Sequence, residues 1–308
     1  MLENNNTRSD PVDLNLKEFF AILWDRKSLI ASISLIFAVF SIIYSLFLPN
    51  IYQSESLLAP ATSNDNLSSQ LSSYSSLAGL AGINIPAGEV SKSTEAIQRI
   101  RSFEFFSNFF IPNIKLENLM AVDKWIPEEN IIKYDNKKFD SISNKWIRKV
   151  DYPLKTIPSN QEAFKMYRKI LQVSEDKNTS FVTISIKHES PNVAKIWVDI
   201  IIQNINESMR DEDKKIAQNS INYLNNSAKS ANYQSLKEAI SSLLESQLQT
   251  LMLTSSNDDY IFKIIDSPVV PELKSEPSRA VICILGTFLG IIFGVLASLF
   301  MHVRNKSY

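Results

Sequence analysis

The chain has 308 residues, with 32 Lys and Arg against 33 Asp and Glu and a formal net charge of −1, so it offers no basic field for nucleic acid. Its single cysteine, Cys283, excludes an intrachain disulfide and a cysteine metal site, and His188 and His302 are its only imidazoles. The six glycines fall within 79–88 and 286–294, which excludes a G-x-x-x-x-G-K-[ST] phosphate cradle.

Residues 1–27 form a polar leader ending in LNLKEFFAILWDRK, where Leu16, Phe19, Phe20, Leu23 and Trp24 share one helical face suited to a membrane interface. Residues 28–48 (SLIASISLIFAVFSIIYSLFL) carry no charge and are long enough to cross a bilayer before Pro49. The run exceeds a signal-peptide core and no small-x-small cleavage pattern follows, so it is predicted to be retained. A second uncharged run, 280–301, predicts another span. Within it Gly286, Gly290 and Gly294 recur every four residues and form a stripe that permits close backbone approach. Lys17, Arg26, Lys27, Arg304 and Lys306 flank the terminal sides of the spans, against Lys274 and Arg279 on the other side. This bias predicts cytoplasmic termini, including a short tail at 302–308, and an outer domain at 49–279.

That domain opens with a predicted strand, Ile51–Pro60, followed by a small-residue stretch, Thr62–Gly88, read as extended with part of it docked. A helix is predicted from Ser93, with Ser93 or Thr94 as cap, Ile97, Ile100, Phe103, Phe106 and Phe110 on one face, and Pro112 as its stop. Residues 113–158 read as irregular, anchored by Trp125, Phe139, Trp146 and Ile147. A helix at Asn160–Leu171 and a strand at Phe181–His188, with Val182, Ile184 and Ile186 facing one way, come next.

From Pro191 no glycine or proline occurs until Pro268, which predicts a long helical tract. Val193, Trp197, Ile200, Ile201 and Ile205 form its buried face, and the charged run RDEDKK (210–215) marks where it should leave the body for water. A break near 225–233 and a second arm bearing Leu236, Ile240, Leu243, Leu244, Leu248 and Leu251 predict a hairpin. The strand Tyr260–Ile265 returns the chain to the body. A lead-in then carries Pro268, Pro271 and Pro277, which disfavour a regular helix.

No catalytic constellation emerges. The carboxylate pairs Glu128–Glu129, Asp211–Asp213 and Asp258–Asp259 lie in charge-rich stretches, and His188 reads as a solvated strand-end residue. The chain is therefore expected to be no enzyme and to hold no cofactor or metal.

The opening DLNLKEFFAILWDRKSLIASISLIFAVFSIIYSLFLPNIYQSESLLAP, the stretch SSLAGLAGINIP, the helix start HESPNVAKIWVDIIIQNIN and the closing DDYIFKIIDSPVVPELKSEPSRA resemble, in content and order, the Wzz chain-length determinants. These are polysaccharide co-polymerases of bacterial inner membranes. The resemblance implies an α+β membrane protein in which two transmembrane helices flank a periplasmic α/β base domain (49–190 and 257–267) bearing an extended helical hairpin (191–256), with the proline lead-in at 268–279. It further implies a homo-oligomeric ring without catalysis of its own. Such a ring sets the modal length of O-antigen made by a Wzy-type polymerase, with nascent polysaccharide or its lipid-linked precursor as partner. Carried over by position, Pro268, Pro271, Pro277, Gly286, Gly290 and Gly294 would hold the second span near the first and near the polymerase. The residues Ser278–Arg279 stand where a basic pair is more usual, and the outer domain is compact for the family, which leaves the polymer open.

Two other readings compete: a co-polymerase or export component for capsule, enterobacterial-common-antigen-like polymer or exopolysaccharide, and a two-span periplasmic receptor. A receptor needs an output domain, and the terminal segments of about 27 and 7 residues are short for one. The same shortness argues against a fused tyrosine-kinase relative.

Overall fold

The computed structural model describes residues 23–61, 91–230, 233–256 and 259–306. The face of Leu16, Phe19 and Phe20, the stretch Thr62–Gly88, and Asp258 lie outside them. The chain divides into two units: Met1–Pro49 with Glu276–Tyr308, and Asn50–Ser275.

Among the described residues, the first unit holds two long helices, α1 (Lys27–Phe47) and a terminal helix whose range is Arg279–Lys306. The latter runs beyond the apolar stretch because His302, Arg304 and Asn305 end the hydrophobicity without breaking the helix. Only 6% and 11% of the most apolar windows of the two helices are buried. A core helix of a soluble protein would be mostly covered. Here Leu35, Phe40, Leu46, Phe47, Phe288 and Phe300 are exposed, as lipid-facing side chains are.

The second unit is built on a four-stranded antiparallel sheet of order β6-β7-β1-β8, from β1 (Tyr52–Pro60), β6 (Leu171–Glu175), β7 (Val182–His188) and β8 (Phe262–Asp266). The register Tyr52↔His188 through Leu58↔Val182 aligns Ser54, Ser56 and Leu58 with Ile186, Ile184 and Val182 on the buried face. The strand β6 occupies residues that sequence periodicity did not mark as extended. Leu171, the extended residue that caps the preceding helix, begins β6, pairing with Ile186.

The helix α2 (Lys92–Ile100) is capped by Ser91 rather than Ser93 or Thr94: its hydroxyl accepts from the Thr94 amide at 3.1 Å, while Ser93 is buried. The single helix predicted through Phe110 is broken, because Ser102 caps a fresh turn by accepting from the Phe105 amide. A short α turn (Phe103–Phe105), a π turn (Phe106–Phe110) and a 3₁₀ turn (Ile111–Asn113) follow. This winding buries Phe105, Phe106 and Phe110 together. Phe106 and Phe110 lie 5.0 and 4.8 Å from the Tyr167 ring, and Phe110 meets Trp197 edge-on at 5.5 Å.

Residues 113–158 are more ordered than their composition suggested. A short helix α3 (Leu116–Met120) precedes two small hairpins, β2 (Val122–Ile126) with β3 (Ile131–Tyr134) and β4 (Phe139–Asp140) with β5 (Lys145–Trp146). Their turns use Asn130 and Asn144 at positive φ, a conformation Asn tolerates. Of the expected anchors, Phe139 is buried and Trp125 meets Tyr52 edge-on, whereas Ile147 is exposed. The helix α4 (Asn160–Ile170) begins with a full capping box between Ser159 and Glu162.

The 40-residue α5 (Pro191–Ser230) is about 60 Å long and α6 (Gln234–Ser256) about 35 Å. The helix α5 continues through Asn225 and Asn226, so the turn falls later than the middle of the predicted break. Its base buries Ala194, Trp197, Val198, Ile201, Ile202, Ile205 and Met209 on the sheet. The charged run does not leave the body at once: Glu212 bonds Arg99, and Asp213 bonds Lys92 and the Tyr260 hydroxyl. The terminal helix of the first unit is α7.

Candidate functional site

The sequence singled out the glycine stripe and the proline lead-in, and the structure gives each a place. Gly286, Gly290 and Gly294 all face α1. A Cβ at Gly286 would stand 2.4 Å from Ser41 Cβ. One at Gly290 would stand 2.7 Å from Phe37 Cβ and 2.9 Å from Ser34 Cα, and one at Gly294 would stand 3.0 Å from Ile30 Cα. Moving eight residues forward on α7, from Gly286 to Gly294, moves eleven backward on α1, from Ser41 to Ile30, the opposite sense that an antiparallel pair requires. The stripe therefore packs within the chain. Phe37 stacks on Phe293 at 5.4 Å beside it, and Ser41 and Ser34 return their hydroxyls to the carbonyls of Ala38 and Ile30, which keeps these polar groups satisfied in an apolar setting. The receiving face of α1 escaped the sequence reading. Its signal was the seven-residue spacing of Ser34 and Ser41.

In the second unit, Pro268 is buried and Pro271 half-buried. Proline has no amide to donate, so ladder pairing of β8 with β1 ends at Leu57↔Asp266. Serine hydroxyls continue the connection. Ser56 donates to the Asp266 carbonyl at 2.6 Å, Ser54 to the Val269 carbonyl at 2.7 Å, and the Ser275 amide donates to the Ile51 carbonyl at 2.8 Å. Both serines are 1% exposed. The lead-in is thus strapped along β1, the strand that follows the first span. Pro277 belongs to the helix-pair unit, two residues before α7. Serine at alternate strand positions was the available signal for the strap.

His188 is not solvated. It is 4% exposed, edge-on to Trp197 at 4.9 Å. Its Nδ1 accepts from the Ser190 amide at 2.8 Å, which leaves Nε2 to donate to the Asn118 carbonyl at 2.8 Å. Burial holds its pKa below the ordinary 6.5, against the pull of Glu189. The residue locks the entry to α5. At the other end of that packing, buried Asn206 accepts from the amides of Ile261 and Phe262 and donates to the Phe262 carbonyl.

The carboxylate pairs are dispersed. Glu128 and Glu129 are exposed on the β2–β3 turn. Asp213 is engaged as above, and Asp211 lines a groove of about 750 Å³ in which Glu95 and Glu212 both hold Arg99. Those contacts raise the Arg99 pKa, the Glu212 hydrogen bond most. Among the described residues no group of three or more His, Cys, Asp or Glu could hold a metal ion.

The helix α1, the strand β1 that follows it and α2 with its aromatic turns fall within a stretch that matches a known sequence family. Residues 12–110 match the Wzz chain length determinant protein family. The Wzz match runs from the leader through α1 and β1 to Phe110, so it takes in the α1 face that receives the glycines and the strand that carries the strap. Among solved structures, a full-length bacterial polysaccharide co-polymerase is 15% identical with a TM-score of 0.40, covering 96% of this chain and 99% of its own. A fragment of WzzB, a polysaccharide co-polymerase from Salmonella Typhimurium, is 13% identical with a TM-score of 0.28, covering 74% and 100%. No curated protein matches.

Proposed function

We propose that the protein is a non-enzymatic regulator of polysaccharide chain length. It acts as a ring of identical subunits anchored in the bacterial inner membrane, with residues 49–279 in the periplasm and both termini cytoplasmic. The observation that carries this is the Wzz match over residues 12–110, which falls on a chain whose two apolar helices bracket a mixed α/β unit with a long hairpin. In this reading the product is lipopolysaccharide O-antigen, and the partners are a Wzy-type polymerase and the nascent polysaccharide or its lipid-linked precursor.

The geometry supports a scaffold. The second span returns beside the first through a close glycine contact, and the lead-in is hydrogen-bonded along β1. The hairpin arms also display exposed apolar side chains, Tyr223, Leu243 and Met252 among them, which suits burial against a neighbouring copy. Deleting the gene and resolving surface polysaccharide on gels tests the reading. Polymer should still be made, but its clustered length distribution should spread. An unchanged ladder would overturn the proposal, and a change confined to capsule or exopolysaccharide would move the role to that polymer.

A further inference from the structure

The most exposed apolar side chains of the second unit sit on two consecutive loops. Ile142, at the tip of the β4–β5 hairpin, is 99% exposed, and Tyr152, in the loop 151–157, is 97% exposed, with Leu154 and Ile157 exposed beside it. Neither loop is left to find its own shape. Asp140 accepts from the Ile142 amide at 3.0 Å and from the Ser143 hydroxyl at 2.5 Å, Asn144 turns the chain at φ 53°, and Phe139 braces Trp146 at 5.3 Å. Arg148 pins the second loop by donating to the carbonyls of Thr156 (2.8 Å) and Lys155 (2.6 Å), and its charge is met by Glu162 at 2.6 and 2.9 Å. Polar contacts thus hold apolar tips out in water, where they gain nothing from the fold itself.

Lysines flank the tips in sequence. Lys137, Lys138, Lys145, Lys149 and Lys155 are exposed, with Lys138 3.7 Å from Asp135; the other acids of 135–157 are Asp140, already engaged in its turn, and Asp151. Convex apolar tips among cations are suited to a layer of anionic headgroups: the tips enter the interfacial region and the ammonium groups meet phosphate. Tyrosine is at home at that depth. A bilayer is close at hand by connectivity, because β1 begins five residues after α1 ends.

We propose that the loops around Ile142 and Tyr152 seat on the anionic lipid surface of the bilayer the chain crosses, with Ile142 and Tyr152 in the interface. The proposal rests on reading α1 and α7 as membrane spans.

The full chain has one cysteine, so a Cys283→Ser background permits a single fluorophore at Ile142→Cys, Tyr152→Cys or, on the exposed flank of α5, Asn225→Cys. The probe is phosphatidylcholine vesicles with and without phosphatidylglycerol, carrying headgroup-region nitroxide lipid. Labels at 142 and 152 should be quenched when phosphatidylglycerol is present, and the label at 225 should not. Each Lys→Gln change among the five should weaken the seated state about fivefold, and raised salt should act in the same direction. Labels at 142 and 152 that stay open to aqueous iodide and blind to the nitroxide, in protein that resists alkali extraction, would overturn the proposal while leaving the spans intact. Protection from iodide without nitroxide quenching would overturn it in favour of a contact with a second copy. Equal quenching in pure phosphatidylcholine would overturn the assignment to anionic lipid. Release of the chain by alkali would overturn the span reading and the proposal with it.

Discussion

His188 shows how one residue ties β7 to α5. In its neutral form one ring nitrogen accepts and the other donates, and both partners are backbone groups. Protonation would turn Nδ1 into a donor facing the Ser190 N–H, inside a site too buried to solvate the charge. Because the folded pKa lies below the unfolded value of 6.5, the unfolded chain takes up the proton first as pH falls. The stability His188 contributes is therefore complete above 6.5 and declines below it, by at most about 1.4 kcal/mol per pH unit. Thermal unfolding in detergent should show Tm falling between pH 6.5 and 5.5. His188→Gln should lower Tm at pH 7.5 and flatten that segment of the profile. A wild-type Tm that stays level across the window would show that the imidazole is not held neutral.

At the scale of elements, the helix pair is where packing makes a sharp claim. Gly286→Ala places a methyl group 2.4 Å from Ser41 Cβ, and overpacking of this kind costs about 1–3 kcal/mol, more than the roughly 1 kcal/mol of helix propensity alanine brings. Ser41→Gly removes the obstructing atom, so the double variant should recover the loss. Gly290→Ala also meets the Cα of Ser34, which Ser34→Gly leaves in place, so that pair should not recover. Unfolding of the four variants in detergent separates the cases, and equal rescue at both positions would contradict the register. The long, strongly patterned elements were legible beforehand: both spans, the Val182–Ile186 alternation and the hairpin. What escaped depends on contacts distant in sequence. Nothing local announced that Ser102 would restart a helix, that Leu171 would pair with Ile186, or that His188 would be covered by Trp197 and Asn118. Glycine spacing marked the stripe but left its partner open, because one helix cannot state which surface receives it. The exposure of Ile142 and Tyr152 was equally invisible, since composition alone made 113–158 look like plain loop.

For the whole molecule, the hairpin sets the question of assembly. Its base is buried on the sheet, but along the arms Ile216, Tyr223, Leu236, Leu243 and Met252 are exposed. The two helices cover each other only in part, with Ala217, Ile221 and Ile240 buried and a groove of about 450 Å³ beside Tyr223, Leu224 and Leu243. Full burial of a side chain such as Leu or Met gains about 1.5–3 kcal/mol. Several such residues repeated around a closed ring would hold it together, because in a head-to-tail ring every subunit takes part in two interfaces, one on each side. The native mass in detergent should therefore be a multiple of the 34.9 kDa chain. Leu243→Asp with Met252→Asp should shift that mass toward one chain while helical content by circular dichroism stays unchanged, because both positions face outward. If the same variant also spreads the polysaccharide length distribution, assembly and length control share this surface. If the wild-type chain runs as a single copy, the ring is wrong and the exposed stripe belongs to a different partner.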